Sequence, residues 1–228
     1  MRRSGERARV RGRAAGLVGV CWLVCGASPA RIIEPNTGVS FNSTRQWGSY
    51  RQVAVGLAVK KKVFFKVYAA CFYIDKKGGS RELLRLARRS DAYRNGKLDK
   101  QTLLERDRLY DWLIDSDLAM TIDLTFVRSF GYERFREKYK ERLGLYLDDH
   151  KLIDRFLRLP SAEIQAFGHL TFNLLPEGQV VLQYMGKTFQ PIRSRPLKRA
   201  VLGTFFGRRS SQDRIRRGLV NDIDRLLH

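Results

Sequence analysis

A run of three lysines beside an apolar segment has the clearest chemical potential in this sequence. Lys60, Lys61 and Lys62 precede a β-branched and aromatic stretch, and Tyr68 follows within it. Cations at the mouth of an apolar cavity, with a hydroxyl donor further in, could hold a carboxylate, because burying a carboxylate without such partners costs several kcal/mol. The same residues also fit a solvated turn followed by an ordinary core tyrosine, so the spacing leaves both interpretations open.

Other patterns give weaker support for chemistry. Glu133, Glu137 and Glu141 repeat every fourth residue among Arg and Lys, which is more typical of ion pairs on an exposed helix face than of acid–base catalysis. The aromatics between them have the spacing of a buried stripe, which disfavours a platform for stacking nucleic-acid bases. The three histidines have no ligand-like spacing with Cys, Asp or Glu. We therefore predict no metal site, no cofactor and no nucleic-acid partner.

The composition predicts one globular domain with a basic surface. Of the 228 residues, 43% are apolar and 11% aromatic, which is enough for a substantial core. The formal net charge of +21 favours acidic partners such as phosphates, anionic lipid or nucleic acid. The basic residues are scattered, however, and often neighbour Asp or Glu. An ordinary solvated surface explains the charge at least as well.

Residues 1–30 are predicted to be a cleavable targeting segment. They carry a net charge of +5, and their arginines are followed by an apolar run over 14–25 and then by small residues. This order is typical of a signal peptide, and the arginine-rich, acid-poor opening also suits an organellar transit sequence. The apolar run is shorter than the ~18–20 residues that cross a bilayer comfortably, so no permanent span is predicted. Residues 31–228 are predicted to form the folded domain.

Hydrophobic periodicity predicts a mixture of strands and helices. Strands are predicted at 52–59, 63–75, 119–127, 170–174, 179–185 and 188–192, with a basic turn at 60–62. Helices are predicted after a Ser80 cap, over 99–113, 131–147, 150–159 and 196–206, and after a Ser211 cap along 215–226. This order favours an antiparallel sheet with helices packed on one face over a βαβ array.

Several segments resemble the chalcone-isomerase-like family in order and spacing. Residues 34–41 (EPNTGVSF) resemble its opening EP.TG..F segment, and residues 56–62 (GLAVKKK) resemble its GxGxRxK segment, with Ala58 and Lys60 as departures. Residues 66–73 (KVYAACFY) resemble its KVYA.G.Y strand closely. Further similarities lie at 127–129, 135–137, 186–187 and 194–207, and an insertion-like region at 76–113 interrupts the series.

The resemblance implies an α+β fold, an open-faced β-sandwich in which α-helices cover a large antiparallel sheet and leave a cleft between the layers. The family includes chalcone isomerases, plastid fatty-acid-binding members and bacterial-type members. In the isomerases an arginine, a threonine, a tyrosine, an asparagine and a Ser or Thr hold the substrate. Those positions correspond here to Lys60, Tyr68, Arg134, Glu141 and Lys198. None of them keeps the isomerase residue.

These substitutions favour a binding protein over an enzyme. The fatty-acid-binding branch has tyrosine at the position of Tyr68, where it joins the arginine in holding a carboxylate, and Lys60 keeps that charge without the planar fork. We therefore expect a non-catalytic protein that binds a fatty acid or similar hydrophobic carboxylate. The expected ligand-binding residues are Lys60 (or Lys61), Lys62, Tyr68, Phe64, Phe65, Phe72 and Phe126.

Two alternatives stay open. One is a chalcone–flavanone isomerase-type intramolecular lyase, and the other is a ligand-free interaction protein whose cleft is filled by its own side chains. Charges at Arg134, Glu141 and Lys198 disfavour the lyase, because they suit solvent or a partner and not a flavonoid ring. The resemblance favours a plastid as the destination of the targeting segment. The oligomeric state is not predicted.

Overall fold

The structure, a computed structural model, describes residues 30–62, 64–94, 96–105, 107–158, 163–209 and 213–228. The predicted targeting segment, apart from its last residue, and the predicted Ser211 cap lie outside these ranges. No described helix combines the length and the apolar character needed to cross a bilayer.

The secondary structure alternates between long sheet strands and helices. The described strands are β1 (Arg31–Ile33), β2 (Ser40–Asn42), β3 (Thr44–Trp47), β4 (Tyr50–Lys62), β5 (Phe65–Asp75), β6 (Tyr93–Arg94), β7 (Lys97–Leu98), β8 (Met120–Phe126), β9 (Phe130–Gly131), β10 (Glu163–Ile164), β11 (His169–Leu174), β12 (Gln179–Tyr184), β13 (Lys187–Thr188) and β14 (Ile192–Arg193). The helices are α1 (Lys76–Arg89), α2 (Lys100–Glu105), α3 (Asp107–Asp115), α4 (Tyr132–Leu143), α5 (His150–Phe156), α6 (Arg195–Phe206) and α7 (Asp213–Gly218), with 3-10 turns at Pro176–Gly178 and Ile223–Leu226.

One large antiparallel sheet dominates the fold. Its strand order is β13-β12-β11-β8-β5-β4-β3, and β14 also pairs with β12. Strand β5 is buried on both faces, as its unbroken apolar sequence predicts. Phe72 and Ile74 face the helices, whereas Cys71 and Tyr73 pack against the segment that contains β1 and β2. The predicted antiparallel sheet with a helical layer is confirmed.

Helix α6 packs at the centre of the helical layer. The ring of Phe206 lies 4.8 Å from that of Phe72, and the ring of Phe205 lies 6.2 Å from that of Phe172. Helix α4 lies beside it and reaches the same strand, since Tyr139 stacks on Phe172 at 5.9 Å. These contacts fix the position of α4 over the sheet.

Two predicted boundaries near β4 and β5 are wrong. Lys60, Lys61 and Lys62 are the last residues of β4 and not a turn, and Lys62 still pairs with Phe65 across the hairpin. Helix α1 begins at Lys76 and not after Ser80, because Asp75 at the end of β5 accepts a hydrogen bond from the N–H of Gly78 at 2.8 Å and caps the helix.

The predicted helix along 215–226 is also interrupted. Helix α7 ends at Gly218, and a 3-10 turn follows four residues later. The interruption lets this segment lie directly on strand β4, where the N–H of Asp222 donates to the Val55 carbonyl at 2.8 Å. A side chain at Gly56 would place its Cβ 2.3 Å from the Gly218 carbonyl oxygen, so glycine is required for this close approach.

The insertion-like region at 76–113 forms α1, the β6–β7 hairpin, α2 and most of α3. Arg216 of α7 ties it to the rest of the fold. Its guanidinium lies 3.6 Å from the centroid of the Tyr110 ring and 2.5 Å from a carboxylate oxygen of Asp107. The region is therefore an integral part of the helical layer.

Candidate functional site

A cavity opens between one end of the sheet and helix α4. Strands β4 and β5, the end of β8 and the inner face of α4 supply its walls. Its volume is about 450 Å³, within the ~300–1,000 Å³ typical of pockets for small ligands. The cavity lies between the two layers, where a cleft was expected from the sequence.

Lys60 and Tyr68 lie opposite each other on neighbouring strands in this cavity. The β4–β5 ladder pairs them directly, and Tyr68 pairs in turn with Phe126 at the end of β8. Directly paired residues in an antiparallel ladder project from the same face, with Cβ atoms about 4.5–5.5 Å apart. The sequence therefore brings the predicted cation and the predicted hydroxyl donor together through strand register.

Helix α4 adds two polar groups that sequence reasoning did not assign, Tyr139 and Arg142. The buried stripe of the helix includes Phe135, Tyr139 and Leu143, and Arg142 lies beside this stripe and lines the cavity. The spacing of the stripe by itself predicts only a buried helix face. The sequence feature that could have identified Arg142 is its position next to an apolar stripe. A cation in such a place must either reach solvent or pair with an anion.

Two buried hydroxyls in the cavity lack hydrogen-bond partners. The Tyr68 hydroxyl lies close to the Tyr139 hydroxyl and to Arg142, but within the described residues neither hydroxyl forms a hydrogen bond of suitable distance and angle. Burial raises the pKa of Tyr68, against the opposing effect of the Arg142 charge, and raises the pKa of Tyr139 well above its ordinary value. Both groups therefore stay protonated and can donate. An unpaired buried polar group costs about 1–3 kcal/mol, so each hydroxyl would be stabilised by an acceptor, whether a bound water or a polar group of a ligand.

The cavity is strongly positive. Five lysines and three arginines line it, and none of its lining residues is acidic. Burial, together with repulsion from Arg142, lowers the pKa of Lys60 to about 8. Neither Lys60 nor Arg142 forms an ion pair with a described carboxylate. The charge of these two side chains favours an anionic group between them.

An aromatic wall forms the rest of the cavity. Phe126 meets the ring of Tyr68 edge-on at 5.9 Å and the ring of Phe135 edge-on at 6.0 Å. Phe130 lies 5.3 Å from Phe126, and Phe135 lies 4.4 Å from Tyr139. Rings that pack on one another in this way are well fixed and apolar. A site with cations and donors beside a rigid aromatic wall suits an amphiphile.

The structure brings most of the predicted ligand-binding residues together and leaves two out. Lys60, Lys62, Tyr68 and Phe126 all line the cavity, as do Phe65 and Lys61. Phe72 is instead fully buried beneath α6, four residues further along β5 than Tyr68. Phe64 is exposed at the tip of the hairpin, because it precedes β5 and the alternation of that strand does not extend to it.

The phase of helix α4 decides what its polar residues can reach. Arg134 is exposed at the rim of the cavity. Glu141 does not line the cavity, although it pairs at 2.7 Å with Lys138, an exposed lysine at the cavity edge. Arg142, and not Glu141, is the residue that the helix turns toward Tyr68. Glu141, which corresponds to the asparagine of the isomerases, therefore does not place a carboxylate in this cavity.

Lys198 lies outside the cavity, buried in the first turns of α6. Its ammonium group donates to the carbonyls of Leu118 and Leu175 at 2.9 and 3.0 Å, and lies 3.7 Å from Asp117. Burial lowers its pKa to about 8, against the opposing effect of Asp117. Its partners are structural carbonyls, so it fixes the loops around α6 and does not face the cavity.

A second cavity, of about 740 Å³, lies on the opposite face of the sheet. Its central cation, Arg45, already pairs with Asp123 at 3.7 Å and lies over the Tyr73 ring at 5.4 Å. His169 at its edge hydrogen-bonds with Thr125. Within the described ranges, no three His, Cys, Asp or Glu side chains meet as metal ligands. The larger cavity also holds an unpaired buried hydroxyl, that of Ser40, but only the smaller cavity combines unpaired hydroxyls and cations with an aromatic wall, so it is the better candidate site for an amphiphile.

Comparisons with known proteins identify the fold. No protein-family model matches the sequence, and no curated protein matches it. Among solved structures, the crystal structure of the Arabidopsis thaliana fatty-acid binding protein AtFAP1 is similar at a TM-score of 0.69 and 20% sequence identity, covering 87% of this chain and 100% of that chain. The chain therefore has the chalcone-isomerase-like α+β fold that the sequence predicts.

Proposed function

We propose that this chain is a non-catalytic binding protein for a fatty acid or similar hydrophobic carboxylate. The observation that carries the proposal is the pair of buried, unpaired hydroxyls on Tyr68 and Tyr139, beside the charges of Lys60 and Arg142. A carboxylate can accept a hydrogen bond from each hydroxyl. It can also serve as the counter-ion for Lys60 and Arg142, which have none among the described carboxylates. A neutral ligand would leave the cations unpaired.

The tail of the ligand lies along the aromatic wall. Phe126, Phe130 and Phe135 form a continuous apolar surface that leads away from Tyr68. Burial of a hydrocarbon chain there contributes roughly 0.8 kcal/mol for each methylene. The shared fold with AtFAP1, a fatty-acid binding protein, supports the same class of ligand.

The arrangement supports binding over catalysis. Of the three remaining positions that correspond to isomerase residues, Glu141 and Lys198 do not line the cavity, and Arg134 stands at its rim. Both tyrosine hydroxyls have a raised pKa, so neither is suited to act as a base near neutral pH. The ligand-free interaction protein is disfavoured because its own side chains leave about 450 Å³ unfilled.

Displacement of a fluorescent fatty acid from the full-length chain tests the proposal. We expect palmitate to displace the probe, and methyl palmitate to compete at least about tenfold less well because the ester has no charge for Lys60 and Arg142 to pair with. Equal competition by the acid and the ester would show that the site does not recognise the carboxylate charge. Failure of every fatty acid to bind would refute the function.

A chalcone cyclisation assay separates binding from catalysis. We expect the rate in the presence of the protein to equal the uncatalysed background, since the substrate-orienting side chains are replaced. A rate well above background would refute the non-catalytic function and support the intramolecular lyase.

A further inference from the structure

The exposed apolar side chains of this protein are concentrated at one end of the main sheet. Six large apolar residues are exposed within the described ranges, and four of them lie at this end. We call these four the apolar rim. They are Phe64 (92% exposed), Phe65 (55%), Phe167 (70%) and Met185 (52%).

Strand register places the rim residues side by side. Phe65 opens β5, which pairs Tyr68 with Phe126 at the end of β8. The N–H of Phe167 donates to the Phe126 carbonyl at 2.7 Å, and the N–H of Met185 donates to the first residue of β11 at 2.9 Å. Neighbouring strands lie ~4.8 Å apart, so the rim residues share one edge of the sheet, beside the ends of β5, β11 and β12.

Two rim residues occupy backbone positions that bulky side chains disfavour. Phe167 has a φ of +59° and Met185 a φ of +49°, both in the left-handed region. Met185 precedes Gly186 in the β12–β13 turn, where asparagine is the usual residue. Local folding does not explain large apolar residues at such positions. Strained conformations of this kind concentrate at functional sites.

Cations flank the Phe64–Phe65 end of the rim. Lys61, Lys62, Arg128 and Arg134 are exposed there, and the Arg128 guanidinium lies 4.5 Å over the ring of Phe65. No acidic residue lines the cavity mouth between them. Exposed aromatic side chains flanked by Lys and Arg are the combination that binds the interface of an anionic bilayer, where rings enter the headgroup region and cations meet lipid phosphates.

We propose that this end of the molecule docks on an anionic lipid bilayer. The apolar rim enters the interface, and the flanking cations contact the headgroups. Phe65 belongs both to the rim and to the cavity wall, so the cavity mouth faces the membrane and a hydrophobic ligand can pass between bilayer and cavity. The passage of ligand rests on the proposed function, whereas the docking rests on the rim and its charges alone.

Co-sedimentation of the full chain with vesicles tests the docking. We expect binding to phosphatidylcholine vesicles that contain phosphatidylglycerol, weaker binding to phosphatidylcholine alone, and loss of binding at high salt. Phe64→Ser removes one inserted ring and lowers the affinity by about tenfold. Lys61→Glu combined with Lys62→Glu lowers it by about tenfold or more. Leu145→Ser, an exposed apolar control outside the rim, leaves it unchanged.

A site-specific probe distinguishes vesicle binding through the rim from vesicle binding through the basic N-terminal segment. That segment is the same in every variant. Wild type already contains Trp22, Trp47 and Trp112, so the measured quantity is the fluorescence that each variant adds to that background. The fluorescence added by Phe64→Trp should be quenched by brominated anionic lipid, whereas that added by Leu145→Trp should not. The docking is refuted by an unquenched probe at position 64, or by wild-type vesicle binding of Phe64→Ser. Binding to an acidic protein without binding to vesicles also refutes it. Fatty-acid binding by Phe64→Ser without vesicles should match wild type, so the two proposals fail separately.

Discussion

The hydroxyl of Tyr68, on strand β5, and the hydroxyl of Tyr139, on helix α4, meet in one cavity from opposite layers of the fold, and neither has a hydrogen-bond partner within the described residues. Each ring is held firmly by its neighbours, Tyr68 by Phe126 and Tyr139 by Phe135. The hydroxyls cannot therefore turn to solvent without disrupting the aromatic wall. Their unsatisfied donors weaken the empty protein and strengthen its complex with an acceptor.

Replacing Tyr68 by phenylalanine should separate ligand binding from stability. A hydrogen bond to a charged group contributes roughly 1.5–3 kcal/mol, so Tyr68→Phe should weaken fatty-acid binding by about ten- to a hundredfold. The empty protein should unfold no more easily than wild type, because the variant removes an unpaired hydroxyl and keeps the ring. Titration calorimetry and thermal unfolding measure the two effects. Wild-type affinity in Tyr68→Phe would show that Tyr68 is only a core aromatic.

Adjacent residues on α4 provide a matched pair of variants. Arg142→Gln should weaken palmitate binding by about tenfold or more, because it removes a cation beside both hydroxyls. Glu141→Gln changes the charge by the same magnitude one residue away, at a side chain that does not line the cavity. Because its pair with Lys138 is exposed and worth little, this variant should leave palmitate binding within about twofold of wild type. Fluorescent fatty-acid displacement compares the two. A larger effect of Glu141→Gln would show that α4 turns Glu141, and not Arg142, toward the cavity.

The affinity for fatty acid should fall above about pH 8. The pKa of Lys60 is about 8 in the empty protein, and a bound carboxylate raises it by favouring the charged form. Between these two values the complex holds a proton that the free protein has lost. Affinity should therefore be level through neutral pH and then fall by up to about tenfold per pH unit. Lys60→Met should show weaker binding with a flatter pH profile. A wild-type profile that is level to pH 10 would contradict pairing through Lys60.

Lys198 should matter for stability and not for the ligand. Lys198→Met leaves the carbonyls of Leu118 and Leu175 without their donor, and an unpaired buried acceptor costs about 1–3 kcal/mol. Denaturant unfolding should show a loss of that order, while the palmitate affinity of the folded fraction stays at the wild-type value. A selective loss of binding at unchanged stability would place Lys198 in the site after all.

Much of the sheet and half of the site are readable from the sequence. The unbroken apolar run of β5 predicts a strand buried on both faces, and the two predicted strands bring the lysines near Tyr68. The sequence predicts a turn at the lysines, whereas they extend β4. Register alone then brings Lys60 and Tyr68 together. Local sequence is sufficient here because the contact is made within one hairpin.

The contribution of α4 to the candidate site could not be predicted from the sequence in the same way. Periodicity identifies the face that includes Phe135 and Tyr139 as buried, but it does not distinguish a position over packed core from one over a cavity. That distinction depends on where α4 crosses the sheet, which contacts such as Tyr139 with Phe172 decide. Phe72 illustrates the converse, because it shares a strand face with Tyr68 and lies beneath α6 instead of in the cavity.

The close approach of residues 213–226 to strand β4 bears on how the chain is made. Val55 and Ala58 present an apolar surface that is covered by the segment around Leu219, which lies far along the chain from β4. Contacts between such distant parts of a chain form slowly. This apolar surface of β4 therefore stays uncovered until the distant segment has been made and has docked, and exposed apolar strands are most prone to aggregate during that interval.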